Sequence, residues 1–91
     1  DINFMLGDHH SIYSNTSKEL INKPLKGIYI GNHVWLARHV TIMKDSSVAD
    51  NSIVALGSIV TKEFKQENVI LAGVPARIVK ENISWEFKNT N

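Results

Sequence analysis

The sequence predicts an all-β solenoid, a parallel β-helix of hexapeptide repeats, and three observations predict it. The first is a period: from Ile30 an aliphatic residue returns every six positions, at Leu36, Ile42, Val48, Val54 and Val60. The second is that the positions between keep the same frame. One residue after each aliphatic stand Gly31, Ala37, Met43, Ala49, Ala55 and Thr61, mostly small. Four after stand Val34, Val40, Ser46, Ser52, Ser58 and Phe64, small or β-branched until the last. The third is the failure of the competing patterns. A helix would scatter residues six apart by about 120° and form no apolar stripe. A meander would need turn pairs such as Asn-Gly or Asp-Gly, which do not occur. In a parallel β-helix each hexapeptide supplies one short strand and one corner, with the large aliphatic on the coil axis and small residues where backbone passes close to backbone. Three hexapeptides close a triangular coil of 18 residues, so residues 30–65 supply two turns.

The elements follow in chain order. Ile2 to Gly7 reads as the end of an earlier coil, and residues 1–11 as a whole belong with it. Residues 12–29 are polar, irregular and punctuated by Pro24 and Gly27, the signature of an excursion loop. Residues 30–72 are the coils, closing with a last extended piece from Asn68 to Ala72. Gly73-Val74-Pro75 is a turn. Residues 73–91 then carry a short C-terminal helix over Ala76 to Phe87, with Ile78, Val79, Ile83 and Phe87 as its apolar side. The whole is one domain. The start at Asp1 rather than at a methionine leads us to expect the C-terminal portion of a longer chain.

Composition narrows the function. The chain has 91 residues, 43% hydrophobic and 21% charged, with no cysteine and a formal net charge of +1. A domain this short is marginal alone and is expected to gain burial from neighbouring copies. Without cysteine there are no disulfides, no thiolate metal sites and no cysteine nucleophile. Near-zero charge offers no global field for nucleic acid or anionic lipid. No apolar run approaches the roughly 20 residues of a membrane span, and no secretory leader is visible, which predicts a cytoplasmic protein.

Two groups of residues could carry chemistry. His33 and His39 stand six apart at equivalent repeat positions, which puts them on adjacent sides of a triangular coil and makes them poor joint ligands. They read as solvent-facing corner histidines, with zinc held by imidazoles meeting across a subunit boundary as the alternative. The second group is Asp8-His9-His10, where a coil gives way to the loop. Neighbouring residues of an extended segment point to opposite sides, so one of the two histidines can face a cleft, with Asp8 to orient its imidazole. An ordinary polar loop is the alternative.

Four blocks resemble the hexapeptide-repeat acyltransferase family, in the family's order and over about residues 5–82. Asp8-His9-His10 is similar to the catalytic-histidine stretch of the galactoside, maltose, xenobiotic and capsular-sugar O-acetyltransferases. Ile30-Gly31-Asn32-His33-Val34-Trp35-Leu36-Ala37 is similar to its Ile-Gly-x-x-Val-Trp-Ile-Gly motif. Ala55-Leu56-Gly57-Ser58-Ile59-Val60-Thr61-Lys62 is similar to Gly-Ala-Gly-Ser-Val-Val-Thr-Lys, and Ala72-Gly73-Val74-Pro75-Ala76-Arg77 to Ala-Gly-x-Pro-Ala-Arg. The resemblance implies a left-handed coil, a hand that arithmetic cannot supply and that opposes the usual crossover rule. It implies an acetyl-CoA-dependent O-acetyltransferase acting on a sugar or polysaccharide hydroxyl, with no metal, working as a homotrimer with clefts between subunits. It implies His10 as general base with Asp8 beside it, and Trp35 as a wall of the transfer cleft. Ala37, Arg38, Ala55 and Leu56 lie along the cofactor, while Thr61, Lys62, Arg77 and Lys80 contact coenzyme A, the cations meeting its phosphates. The alternatives from other classes are a catalytically silent trimerisation or scaffold module and a zinc hydratase of the carbonic anhydrase type.

Overall fold

The structure is a computed structural model and describes residues 2–5 and 27–87. Among the described residues ten strands, most of them two or three residues long, form three sheets: β1 (Ile2–Phe4), β2 (Tyr29–Ile30), β3 (Trp35–Leu36), β4 (Val40–Ile42), β5 (Ser47–Val48), β6 (Ile53–Val54), β7 (Ile59–Val60), β8 (Glu63–Phe64), β9 (Ile70–Gly73) and β10 (Ala76–Lys80). The first face of the coil stacks β1, β4 and β7, the second β2, β5 and β8, and the third β3, β6, β9 and β10. All pairs are parallel except the last.

The period becomes a register. Ile30 pairs with Val48, Leu36 with Val54 and Ile42 with Val60, each eighteen residues apart. The aliphatics therefore stand in columns on the axis, where Val40, Ile42, Val48, Val54, Val60, Val69 and Leu71 are all 0% exposed. Ile30 and Leu36 belong to the same columns but are partly buried, because they lie in the lowest turn of their faces that the structure describes. The inward positions two residues before the aliphatics hold buried Ser46, Ser52 and Ser58. Each hydroxyl serves backbone: Ser46 donates to Val60 O (3.2 Å), Ser52 accepts from Val69 N–H (3.4 Å), and Ser58 accepts from Gly73 N–H (3.1 Å).

The corners repeat too. His33, His39, Asp45 and Asn51 all have φ between 54° and 60°, and Gly57 follows with φ 71°. A left-handed residue every sixth position turns the backbone from one face to the next, and Asn, Asp, His and Gly are the types that tolerate it. His33 and His39 are thus corner residues, both exposed, as their spacing predicts. Asp45 and Asp50 bind the turns vertically: their Oδ1 atoms accept the backbone N–H groups of Gly27 (2.9 Å) and Asn32 (2.7 Å), each eighteen residues earlier.

Above Val60 the turn tightens. Val48 pairs with Phe64, sixteen residues on, and Val54 with Leu71, seventeen on, so the Phe64 ring fills a place that an aliphatic fills lower down. The expected helix over Ala76 to Phe87 is not formed. Residues Ala76–Lys80 are instead β10, antiparallel to β9 with Ala76 opposite Gly73 and Arg77 opposite Ala72. The cis Val74–Pro75 bond lies in the turn between them. Two facts favour the strand: β9 presents an open edge whose amides need partners, and the adjacent β-branched Ile78 and Val79 suit an extended chain. The apolar spacing that resembles a helical stripe is divided between β10 and an irregular strap over residues 81–87. The strap is tied at Ile83, whose N–H donates to Asn68 O (2.9 Å) and whose carbonyl accepts from Asn68 Nδ2 (3.1 Å). No described helix is long and apolar enough to cross a membrane.

Candidate active site

One edge of the coil, between the third and first faces, collects four of the sequence-predicted residues. Ala37 and Arg38 follow β3, and Ala55 and Leu56 follow β6 one turn above, eighteen residues later in each case. The backbone binds the two levels together. Ala37 N–H donates to Val54 O (3.0 Å), Ala55 N–H to Leu71 O (2.8 Å), and Gly57 N–H to Arg38 O (2.9 Å). The alanines are partly buried, while Arg38 and Leu56 point their side chains to solvent, Leu56 at 66% exposure. The edge is a ledge of backbone with small residues at its inner corner.

Trp35 opens β3 just before this ledge. Half of it is exposed, an uncommon state for so large an apolar group without a partner surface. It borders a groove of about 720 Å³, a volume within the range of small-molecule sites, lined by Ile2, Val34 and Leu36 and by Trp35, Trp85 and Phe87. Glu86 is its one charged lining residue among those described. Trp85 comes from the strap. Its ring lies flat on His33, 3.9 Å between centroids and 3° between planes, and tilted against Trp35 at 5.8 Å and 45°. His33 in turn is fixed by a contact of 3.1 Å between its Nδ1 and Asn51 Oδ1 one turn above. The Trp85 Nε1 is buried with no hydrogen-bond partner among the described residues.

The predicted cations are not one cluster on the subunit. Thr61 and Lys62 are exposed at the corner between β7 and β8, where the first face meets the second, and the Lys62 ammonium sits 5.3 Å from the centre of the Phe64 ring. Arg77 and Lys80 are exposed on β10, the outermost strand of the third face. Lys62 thus stands at a different corner from the arginine and lysine of β10. Asp8, His9 and His10 lie outside the described residues. Sequence reasoning misses Trp85, because it falls between the apolar positions of the supposed helical stripe; the one signal it offers is being one of only two tryptophans.

No family model matches the chain. It is 49% identical over 81 residues to the polysialic acid O-acetyltransferase of Neisseria meningitidis, an alignment spanning 89% of this chain and 37% of that one. Its fold superposes on a crystal structure of the polySia-specific acetyltransferase NeuO with a TM-score of 0.91 and 40% identity, covering 100% of this chain and 41% of that one. The chain is a homologue of the hexapeptide-repeat O-acetyltransferases. A galactoside acetyltransferase solved in complex with coenzyme A is a further neighbour, with a TM-score of 0.67 and 33% identity over 89% of this chain and 39% of that one. Like those O-acetyltransferases, the chain is a left-handed coil, since a superposition of this quality is not available to the mirror-image winding. It spans about two-fifths of the length of these O-acetyltransferases.

Proposed function

We propose that this chain carries the transfer site of an acetyl-CoA-dependent O-acetyltransferase whose acceptor is a hydroxyl of a sugar or polysaccharide. The observation that carries the reading is the ledge. Ala37 with Arg38 and Ala55 with Leu56 form one backbone edge beside half-exposed Trp35, an arrangement suited to an extended thioester arm lying along the coil. The stretches that hold these residues resemble motifs of the O-acetyltransferases, with Ala55 and Leu56 standing where that pattern has glycine and alanine, and one such relative was solved with coenzyme A.

In this reading His10 removes the proton of the acceptor hydroxyl as its oxygen attacks the thioester carbonyl. The tetrahedral oxyanion collapses, the carbon–sulfur bond breaks, and the coenzyme A thiolate leaves with the proton that His10 took. Asp8 orients the imidazole, and Trp35 walls the cleft. Thr61, Lys62, Arg77 and Lys80 face the cosubstrate, the cations neutralising its phosphates. Because Lys62 and the β10 cations stand apart on one subunit, a homotrimer with clefts between subunits is the assembly that brings them to one ligand. The cytoplasm, where acetyl-CoA is available, is the compartment this reading implies.

The test is acetyl transfer from acetyl-CoA to a panel of glycosides and polysialic acid, with His10→Ala and His9→Ala compared. Loss of a general base costs about 10²- to 10⁴-fold, so His10→Ala should fall by at least about 100-fold and His9→Ala by far less. Full activity in His10→Ala would overturn the assignment. A melting temperature unmoved by saturating coenzyme A would favour a silent scaffold.

A further inference from the structure

The geometry points to Trp85 as a positioning residue for Trp35: the strap swings the second indole across two turns of the coil to hold the first in place. The inference rests on the reading of Trp35 as a cleft wall and deepens it.

The structure builds the contact from two tethers. Asn68 brackets the Ile83 backbone with two hydrogen bonds, at 2.9 and 3.1 Å, and Gln66 Nε2 donates to Glu81 Oε1 at 2.6 Å. Asn82, with φ 56°, turns the chain between those two tethers. The strap thus leaves the upper end of the coil in a set direction and reaches His33, whose β2–β3 corner lies two turns below Asn68. There the Trp85 ring lies parallel to the imidazole, itself held by Asn51. Trp85 is therefore the ring with fixed neighbours on one side and Trp35 on the other.

Among the described residues Trp35 has no comparable ring support. It stands on a two-residue strand, half exposed, and among the described residues its one recorded ring contact is with Trp85 at 5.8 Å. A half-exposed indole on so short a strand is free to change rotamer unless a neighbour blocks the swing. A 45° tilt at that distance is neither stacked nor edge-on, so the contact limits the ring without lying flat on it. The strap belongs to no hexapeptide and fills no column of the core, so what it adds to this architecture is the delivery of that ring.

The experiment uses the two tryptophans of the sequence, because each Trp85 variant leaves Trp35 as the reporting indole. Trp85→Phe keeps a flat ring and Trp85→Ala removes it; should the alanine variant fail to fold, Trp85→Leu fills the space without a flat face. The fluorescence anisotropy of Trp35 should stay high in Trp85→Phe and drop in Trp85→Ala or Trp85→Leu, at unchanged melting cooperativity. In the transfer assay KM for acetyl-CoA should rise by about 2- to 10-fold in the variants without a ring, the equivalent of one aromatic pair, with kcat within about 2-fold, and Trp85→Phe should restore it. Equal anisotropy in the ringed and ringless variants would overturn the positioning role whatever the activity. Lowered anisotropy with an unchanged KM would overturn its bearing on the reaction. If the wild-type chain transfers no acetyl group, the reading of function fails while the anisotropy still decides the contact.

Discussion

Replacing Ser52 by alanine should destabilise the coil more than replacing Ser58, although the two serines occupy equivalent repeat positions and both are essentially unexposed, at 0% and 1%. Each hydroxyl accepts a backbone N–H from the strand or loop above: Ser52 from Val69 at 3.4 Å, Ser58 from Gly73 at 3.1 Å. If the strength of the bond decided the loss, Ser58 would be the costlier site, because its bond is the shorter. The fate of the abandoned donor argues the reverse. Val69 is 0% exposed, and its N–H has no route to water, so the full desolvation penalty of about 1–3 kcal/mol falls due. Gly73 is exposed at the turn into β10, and water can take the place of the lost oxygen, leaving a net cost of about 0.5–1 kcal/mol. The other partner of Ser52 is not stranded, since Asp50 O still accepts from Asn68 N–H at 3.1 Å. The difference should be about 1 kcal/mol, which for a domain of this size moves the melting midpoint by about 4–8 °C. Urea unfolding of the two variants at one protein concentration measures it, the concentration being held because association would add its own stabilisation. Equal losses, or a larger loss at Ser58, would refute the reasoning that burial of the orphaned donor outweighs bond length.

Two further outcomes follow from the corners. Asn51 has φ 60°, so Asn51→Ala should cost about 1 kcal/mol more than Asn51→Gly by urea unfolding, even though both lose the contact to His33. Gly31 has room for nothing larger: a Cβ there would collide with the Asp50 carboxylate and sit 2.8 Å from the Asp50 backbone nitrogen, so Gly31→Ala should lower stability by about 1–3 kcal/mol in the same measurement, with a neutral result refuting the close approach.

The parts of the molecule that repeat are legible in the amino-acid order alone. Ile42, Val48, Val54 and Val60 are buried because a six-residue period on a three-sided coil leaves them nowhere else to point. The same counting places His33 and His39 at corners, and it stacks Ala37 with Ala55 and Arg38 with Leu56 because eighteen residues are one turn. Legibility ends where the period does. The shortened passage from Val60 to Phe64 is set by how the last turn closes, and the hairpin that places Arg77 and Lys80 on β10 is not revealed by spacing. The C-terminal segment reads as a helix because its apolar residues suit a helix or a strand equally, and the open edge of β9 makes the choice. Trp85 is invisible for a related reason: its partners His33 and Trp35 lie some fifty residues away, and no local pattern encodes a contact of that range.

Repetition also raises a problem that the exceptions to it solve. In a coil whose inward residues recur every six positions, sliding one turn by six residues would move each aliphatic onto the neighbouring column and leave the core almost as well filled, so burial alone specifies the register weakly. The non-repeating residues break that degeneracy. Asp50 leans over Gly31, its Oδ1 taking the Asn32 N–H at 2.7 Å, and this approach is possible only above a residue without a side chain. After a slip of six, Ala37 would stand beneath Asp50, and after twelve, Met43; both would collide where glycine does not. The same displacement would part the His33 ring from Asn51 and withdraw it from Trp85. The corner on which the Trp85 ring rests is therefore also the one that fixes which turn lies on which. Since Ala37 and Ala55 can meet on one ledge only in that register, the fidelity of the candidate site depends on Gly31 and Asp50 as much as on the residues that would touch a ligand.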